Sequence, residues 1–194
     1  MKILIVGGGS AGWMTAATLE SQFPEFDISL IESKNIKTVG VGESTIHQIQ
    51  QWMRLLKIDD KQFLKEVDGS YKLSIKFTNF YKKGEYFHYP FGQPEIKGNL
   101  DLLNDWSYKK ILNPKIKNSD YADCIYPTQM AYVNQNKFNK KLQYAYHFDA
   151  TKFGIWLKEK YCKNINHIID DVVSVEQNEH GIVSLNKKYK ADLF

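Results

Sequence analysis

Lys2-Ile3-Leu4-Ile5-Val6-Gly7-Gly8-Gly9-Ser10-Ala11-Gly12 opens the chain almost at its first residue and decides how the rest is read. Lys2 to Val6 is an apolar run long enough for one buried strand and too short for a helix. The residues behind it spell G-x-G-x-x-G. Trp13 to Phe23 then carries Ala16, Leu19 and Phe23 at helical spacing. Ile28 to Ile31 reads as a second strand and ends in Glu32, twenty positions after Gly12. Strand, glycine turn, helix, strand and acid within one short unit is the pattern of a dinucleotide-binding βαβ.

The pattern has physical content. Gly7 lets the chain turn tightly off the strand, with Gly8 beside it. Gly9 lacks a side chain, so backbone N–H groups can approach a pyrophosphate, and Gly12 lets the helix lie close on the sheet. The unpaired N–H groups and positive dipole end of the helix hold the phosphate charge. Glu32 can accept both ribose hydroxyls and would repel a 2′-phosphate, which favours FAD or NAD over NADP. The bland alternative is a packing turn followed by an exposed glutamate.

Composition narrows the class. At 194 residues the chain can bury a sizeable core, and it holds no apolar run of membrane-spanning length. Met1 leads straight into the first strand with no signal peptide in front, and Cys124 and Cys162 form no zinc spacing. The expectation is a reduced, cytoplasmic protein without disulfides. Net charge is +4, but Arg54 is the only arginine. Nucleic-acid surfaces favour arginine forks, so nucleic-acid binding is not expected. Lys109, Lys110, Lys115 and Lys117 read as a solvated loop.

Further along, Thr45 to Lys57 and a segment capped by Asp59 or Asp60 through Val67 read as helices. Ser70 to Phe80 alternates like one half-buried strand with Lys72 on its polar face, and taken alone a lysine there is a solvated side chain. Residues 81–146 are irregular and rich in aromatics, either a minor core or the wall of a flat substrate's pocket. His88 among them reads as a hydrogen-bonded filler ahead of an acid or base. Asp149 caps a helix through Tyr161. Ile165 to Asp170 and Val172 to Glu176 read as a broken strand, followed by a hairpin at Glu179-His180-Gly181. Ala191 to Phe194 begins another strand, which suggests the front part of a longer protein.

At this point the chain resembles the flavin-dependent tryptophan halogenase family. The residues Gly7 to Met14 look like G-G-G-[ST]-A-G-W-M, and Gly40 to Ile46 are similar to G-V-G-E-A-T-I-P. Ser70-Tyr71-Lys72 with Ile75-Lys76-Phe77 is similar to S-Y-K-x-x-I-K-F, His147 to Ala150 matches H-F-D-A, and Ala191 to Phe194 looks like the opening of A-D-L-F. The resemblance implies an α/β fold, the Rossmann-like FAD-binding fold of flavin monooxygenases. Its flavin box would be 1–79 and 147–194, with an aromatic-rich, substrate-side insert at 80–146. It implies FAD taken up as FADH2 from a separate flavin reductase, and a halide ion oxidised with O2 to hypohalous acid. Lys72 would then present the halogen to a small aromatic or indole-like substrate.

Gly7, Gly8, Gly9, Ser10, Ala11, Gly12, Glu32, Glu43 and Ser44 would lie along the FAD by the same resemblance, with Val172 near the adenine. Tyr89 and Phe91 would wall the substrate pocket. Two positions depart from the pattern. His47 replaces a proline after Thr45-Ile46, and Tyr89 replaces a histidine of tryptophan-using members, which leaves free tryptophan open as the substrate. The family's W-x-W-x-I-P signature, catalytic glutamate, halide segment and third FAD motif end would fall beyond Phe194. The expectation is therefore a halogenase's N-terminal part, inert alone, with no metal and no membrane, and with a homodimer left open. The rival readings are another FAD-dependent monooxygenase and a catalytically inert nucleotide-binding chain.

Overall fold

β1 (Lys2–Val6), α1 (Ser10–Gln22) and β2 (Asp27–Glu32) form from the opening stretch. They are followed by β3 (Gly42–Ser44), α2 (Ile49–Leu55), α3 (Asp60–Glu66), β4 (Ser70–Lys72), β5 (Ser74–Thr78) and β6 (Tyr86–Pro90). Next come α4 (Leu102–Leu112), α5 (Asp120–Ile125), α6 (Pro127–Asn134), β7 (Ala145–Asp149) and α7 (Ala150–Tyr161). β8 (Asn166–Ile169), β9 (Val175–Asn178) and β10 (Gly181–Leu185) complete the order. The structure is a computed structural model that describes residues 1–36, 42–95 and 102–194. Gly40 and Val41 of the second motif lie outside the described residues. Two compact units share the chain: Met1–Glu43, Met53–Gly69 and Phe148–Phe194 in the first, Ser44–Trp52 and Ser70–His147 in the second.

In the first unit β1, β2 and β8 make a parallel sheet in that order, with Val6 opposite Ile31 and Glu32 opposite Ile169. Parallel strands need apolar residues throughout because helices and loops cover both faces. Ile3, Leu4, Ile28, Leu30 and Ile31 supply them, each no more than 5% exposed. The last residues extend this sheet along β1: Leu193 bridges Ile3 in parallel and its carbonyl accepts from Leu4 N at 2.9 Å. α1 buries Trp13, Ala16 and Ala17 and packs on α7, which buries Phe153, Trp156 and Leu157. Phe63 of α3 sits edge-on to Phe148, Phe153 and Trp156, with ring centroids 5.3–5.9 Å away. Both expected caps form: Asp59 accepts from Gln62 N and Asp149 from Lys152 N.

In the second unit β5 and β6 form an antiparallel hairpin, and β4 runs antiparallel to the start of β7, with Lys72 opposite Ala145. Here several sequence expectations give way. The single strand read over Ser70 to Phe80 is two strands with different partners, broken at Leu73. The Leu73 carbonyl leaves the ladder to accept from Phe91 N at 3.0 Å and Gln129 Nε2 at 2.9 Å. The helix read from Thr45 starts only at Ile49, because Thr45 N is bonded to the Tyr146 carbonyl of β7. Lys109 and Lys110 are not in a loop. They form the last turn of α4, where cations offset the carbonyl end of the helix dipole. The irregular region also holds α5 and α6, the latter opened by Pro127 at its first position and anchored by Glu95, whose carboxylate accepts from Thr128 N and Oγ1.

Candidate functional site

The glycine turn, the β2 tip and the loop after β8 enclose a cavity of about 740 Å³ in the first unit. Of the residues singled out from the sequence, Gly7, Gly8, Gly9, Ser10 and Ala11 line it, together with Glu32, Glu43 and Val172. Gly7 has φ of +113°, a conformation that side chains disfavour, and its N–H donates to the Ile31 carbonyl at 2.8 Å. Gly12 stands behind the turn and does not line the cavity. A Cβ there would come within 1.9 Å of the Gly7 carbonyl oxygen, so glycine is what allows α1 to approach the strand. At Gly8 a Cβ would fall 1.5 Å from Glu32 Oε2, which places that carboxylate against the turn.

α1 begins at this cavity with Gly9 as N-cap, no capping side chain and no acidic residue in its first turn. Among the described residues no side chain caps its first N–H groups, which leaves them for an anion, as phosphate binding requires. Ser10 Oγ donates to Glu43 Oε1 at 3.1 Å. The rim carries residues that the sequence did not single out. Asn35 Nδ2 donates to Asp171 Oδ2 at 2.8 Å, and the Tyr189 hydroxyl donates to Asp170 Oδ2 at 2.6 Å, which holds the Asp170 carboxyl below its ordinary range. Just outside the lining, His167 Nε2 lies 2.6 Å from Glu32 Oε1. A glycine turn that excludes Cβ atoms, a bare helix N-terminus and a carboxylate at the second strand tip fit the diphosphate and ribose of a dinucleotide.

Lys72 lies in the second unit, and the structure corrects its solvated reading. It is 8% exposed, and Nζ donates to Ser44 Oγ at 2.6 Å and to the Thr45 carbonyl at 2.9 Å. Nζ also sits 5.5 Å above the ring centre of Phe91, itself 1% exposed. Burial lowers the pKa of Lys72 because no carboxylate compensates its charge: among the described residues it forms no ion pair. His147 is held below the ordinary imidazole range by burial first and by the Lys72 charge second. Ser44 thus meets the lysine and is not among the residues lining the first unit's cavity. His47 packs its ring on Phe91 at 5.6 Å, and its buried Nδ1 has no hydrogen-bond partner among the described residues. Tyr89 stands on β6, 58% exposed. His88 is bonded to Ser74 Oγ at 2.9 Å, and burial together with Lys76 lowers its pKa.

Among the described residues no group of three or more His, Cys, Asp or Glu could hold a metal, and no helix is long and apolar enough to cross a membrane. Parallel sheet, glycine turn and acidic strand tip together define a Rossmann-like α/β FAD-binding fold.

Residues 2–194 match the tryptophan halogenase family model, and the chain belongs to that family. It is 30% identical to the tryptophan 7-halogenase RebH of Lentzea aerocolonigenes, an alignment spanning 100% of this chain and 41% of the relative. The structure named VirX1, in its apo form, superposes with a TM-score of 0.84 at 34% identity, covering 99% of this chain and 41% of that one. Xcc4156, a flavin-dependent halogenase from Xanthomonas campestris, gives a TM-score of 0.81 at 27% identity, covering 98% and 40%. The chain spans about two fifths of the length of the relatives it matches.

Proposed function

We propose that the protein is an FAD-dependent halogenase acting on a small aromatic or indole-like compound, with Lys72 as the catalytic residue. The observation that carries this is the state of Lys72: buried and, among the described residues, bonded only to neutral oxygens and unaccompanied by a carboxylate. A structural lysine gains nothing from such a place, since burying an unpaired charge is costly. A lysine that handles an electrophile does.

Reduced FAD, bound by the Gly7–Ala11 turn with Glu32 on its ribose and Val172 near the adenine, would with O2 supply the oxidising equivalent that turns a halide into hypohalous acid. A separate flavin reductase would provide the reduced cofactor. The protein's own groups account for the rest. As an ammonium, Lys72 has three donors and spends two on Ser44 Oγ and the Thr45 carbonyl. The third can hydrogen-bond the oxygen of HOX and make its halogen more electrophilic. As a neutral amine, favoured by burial, the nitrogen lone pair can attack that halogen: N–X forms, O–X breaks, and hydroxide leaves with the amine proton as water. Phe91 places its ring beside the lysine head, and Tyr89 offers an exposed aromatic face to a flat substrate.

The test supplies FADH2, O2, chloride or bromide and a panel of indoles and phenols, with product read by mass spectrometry. Halide-dependent product that vanishes in Lys72→Met while FAD binding persists is the expected result. Oxygenated product formed without halide would replace the proposal with a monooxygenase, and nucleotide binding without product under any halide would leave a binding role alone.

A further inference from the structure

We infer that His167 is a positioning residue for Glu32: its imidazole holds the carboxylate over the glycine turn, ready to accept the ribose hydroxyls of the dinucleotide. The inference rests on the reading of the first unit's cavity as the dinucleotide site. Its basis is the 2.6 Å contact between Nε2 and Glu32 Oε1. A carboxylate only accepts, so Nε2 carries the hydrogen and donates. The second oxygen, Oε2, lies against Gly8 closely enough that a Cβ there would overlap it. The carboxylate is thus held from both sides, by a donor on one oxygen and by the turn on the other.

His167 is itself held. It stands on β8 opposite Leu30 of β2, and Ile169 further along stands opposite Glu32. Its ring meets the Trp13 indole of α1 edge-on, with centroids 5.2 Å apart and planes at 63°. Trp13 is 3% exposed, and the His167 and Glu32 side chains are 18% and 26% exposed. A glutamate alone at a strand tip would rotate freely and lose that freedom only on binding. Here the loss is taken at folding, which favours the bound arrangement. One donated hydrogen bond still leaves lone pairs on both oxygens for two hydroxyls.

Calorimetric titration of the folded chain with ADP and with 2′,3′-dideoxy-ADP separates positioning from packing. The wild type should bind ADP more tightly than the dideoxy nucleotide. His167→Phe keeps a ring against Trp13 and removes the donor. It should weaken ADP about 10- to 150-fold, the worth of one hydrogen bond to a charged group, and leave dideoxy-ADP unchanged. His167→Gln restores an N–H donor and should recover most of the ADP affinity. Equal losses for both nucleotides, or no loss for either, would overturn the positioning role. A wild type that binds both nucleotides equally would instead remove Glu32 from the ribose. One that binds neither would overturn the dinucleotide reading of the cavity, and with it this inference.

Discussion

Replacing Gly12 by alanine should unfold the protein early, although alanine is the better helix former by about 1 kcal/mol. The reason lies in what the added Cβ meets. It would stand 1.9 Å from the Gly7 carbonyl oxygen, whereas real Cβ contacts essentially never fall under 3.0 Å, so more than an ångström of movement is required. The obstacle is backbone, and that backbone cannot yield easily. Gly7 is held at φ +113° and its N–H is bonded to Ile31. Overpacking of this kind costs about 1–3 kcal/mol, and loosening the Gly7–Ile31 bond adds about 1 kcal/mol. After the helix gain is subtracted, a net loss of about 2 kcal/mol remains, or about 4–8 °C in midpoint for a chain of this size.

Gly8→Ala is the internal comparison. Its Cβ would meet the Glu32 carboxylate, which must leave His167 to swing away, and the Glu32 Cβ at 2.8 Å, which need yield only a few tenths of an ångström, so stability should fall less than in Gly12→Ala while ADP affinity falls. Thermal and urea unfolding followed by far-UV circular dichroism, with ADP calorimetry on both variants, reads the contrast. A Gly12→Ala protein as stable as wild type would refute the claim that this glycine sets the approach of α1 to the strand.

Asp149→Ala removes the acceptor of Lys152 N at the start of α7 and should cost about 1 kcal/mol in urea unfolding, with Asp149→Asn recovering most of it. Burial pushes the Cys162 thiol from 9.0 up to about 12, while Cys124 is only half-buried. A thiol reagent at pH 8 should therefore modify Cys124 first and reach Cys162 only on unfolding. Because the unfolded thiol ionises before the buried one, stability should fall as pH rises from 9 toward 12. Cys162→Ala should lack that component, as paired pH titrations of unfolding would show.

The features legible in the order of residues are local in origin. The βαβ opening was legible because its signals sit within one turn or strand of the residues they govern: an apolar run, a turn only glycines can make, a helix period, an acid at a strand tip. The caps at Asp59 and Asp149 are equally short-ranged, each reaching an N–H three residues on. Lys72 could be picked out through its surrounding motif, yet its alternation along Ser70 to Phe80 placed it on a polar, solvated face. Tertiary structure decided otherwise. The Leu73 carbonyl is taken by Phe91 and Gln129, β4 and β5 part to different partners, and the lysine is enclosed by Ser44, Thr45 and Phe91. None of those partners lies within eighteen positions of Lys72. The pairing of His167 with Glu32 is of the same kind: 135 residues separate them, and only the β2–β8 register brings them together. Strand partnership is a long-range choice, and a one-residue shift in it sends a side chain to the opposite face, so local pattern cannot report it.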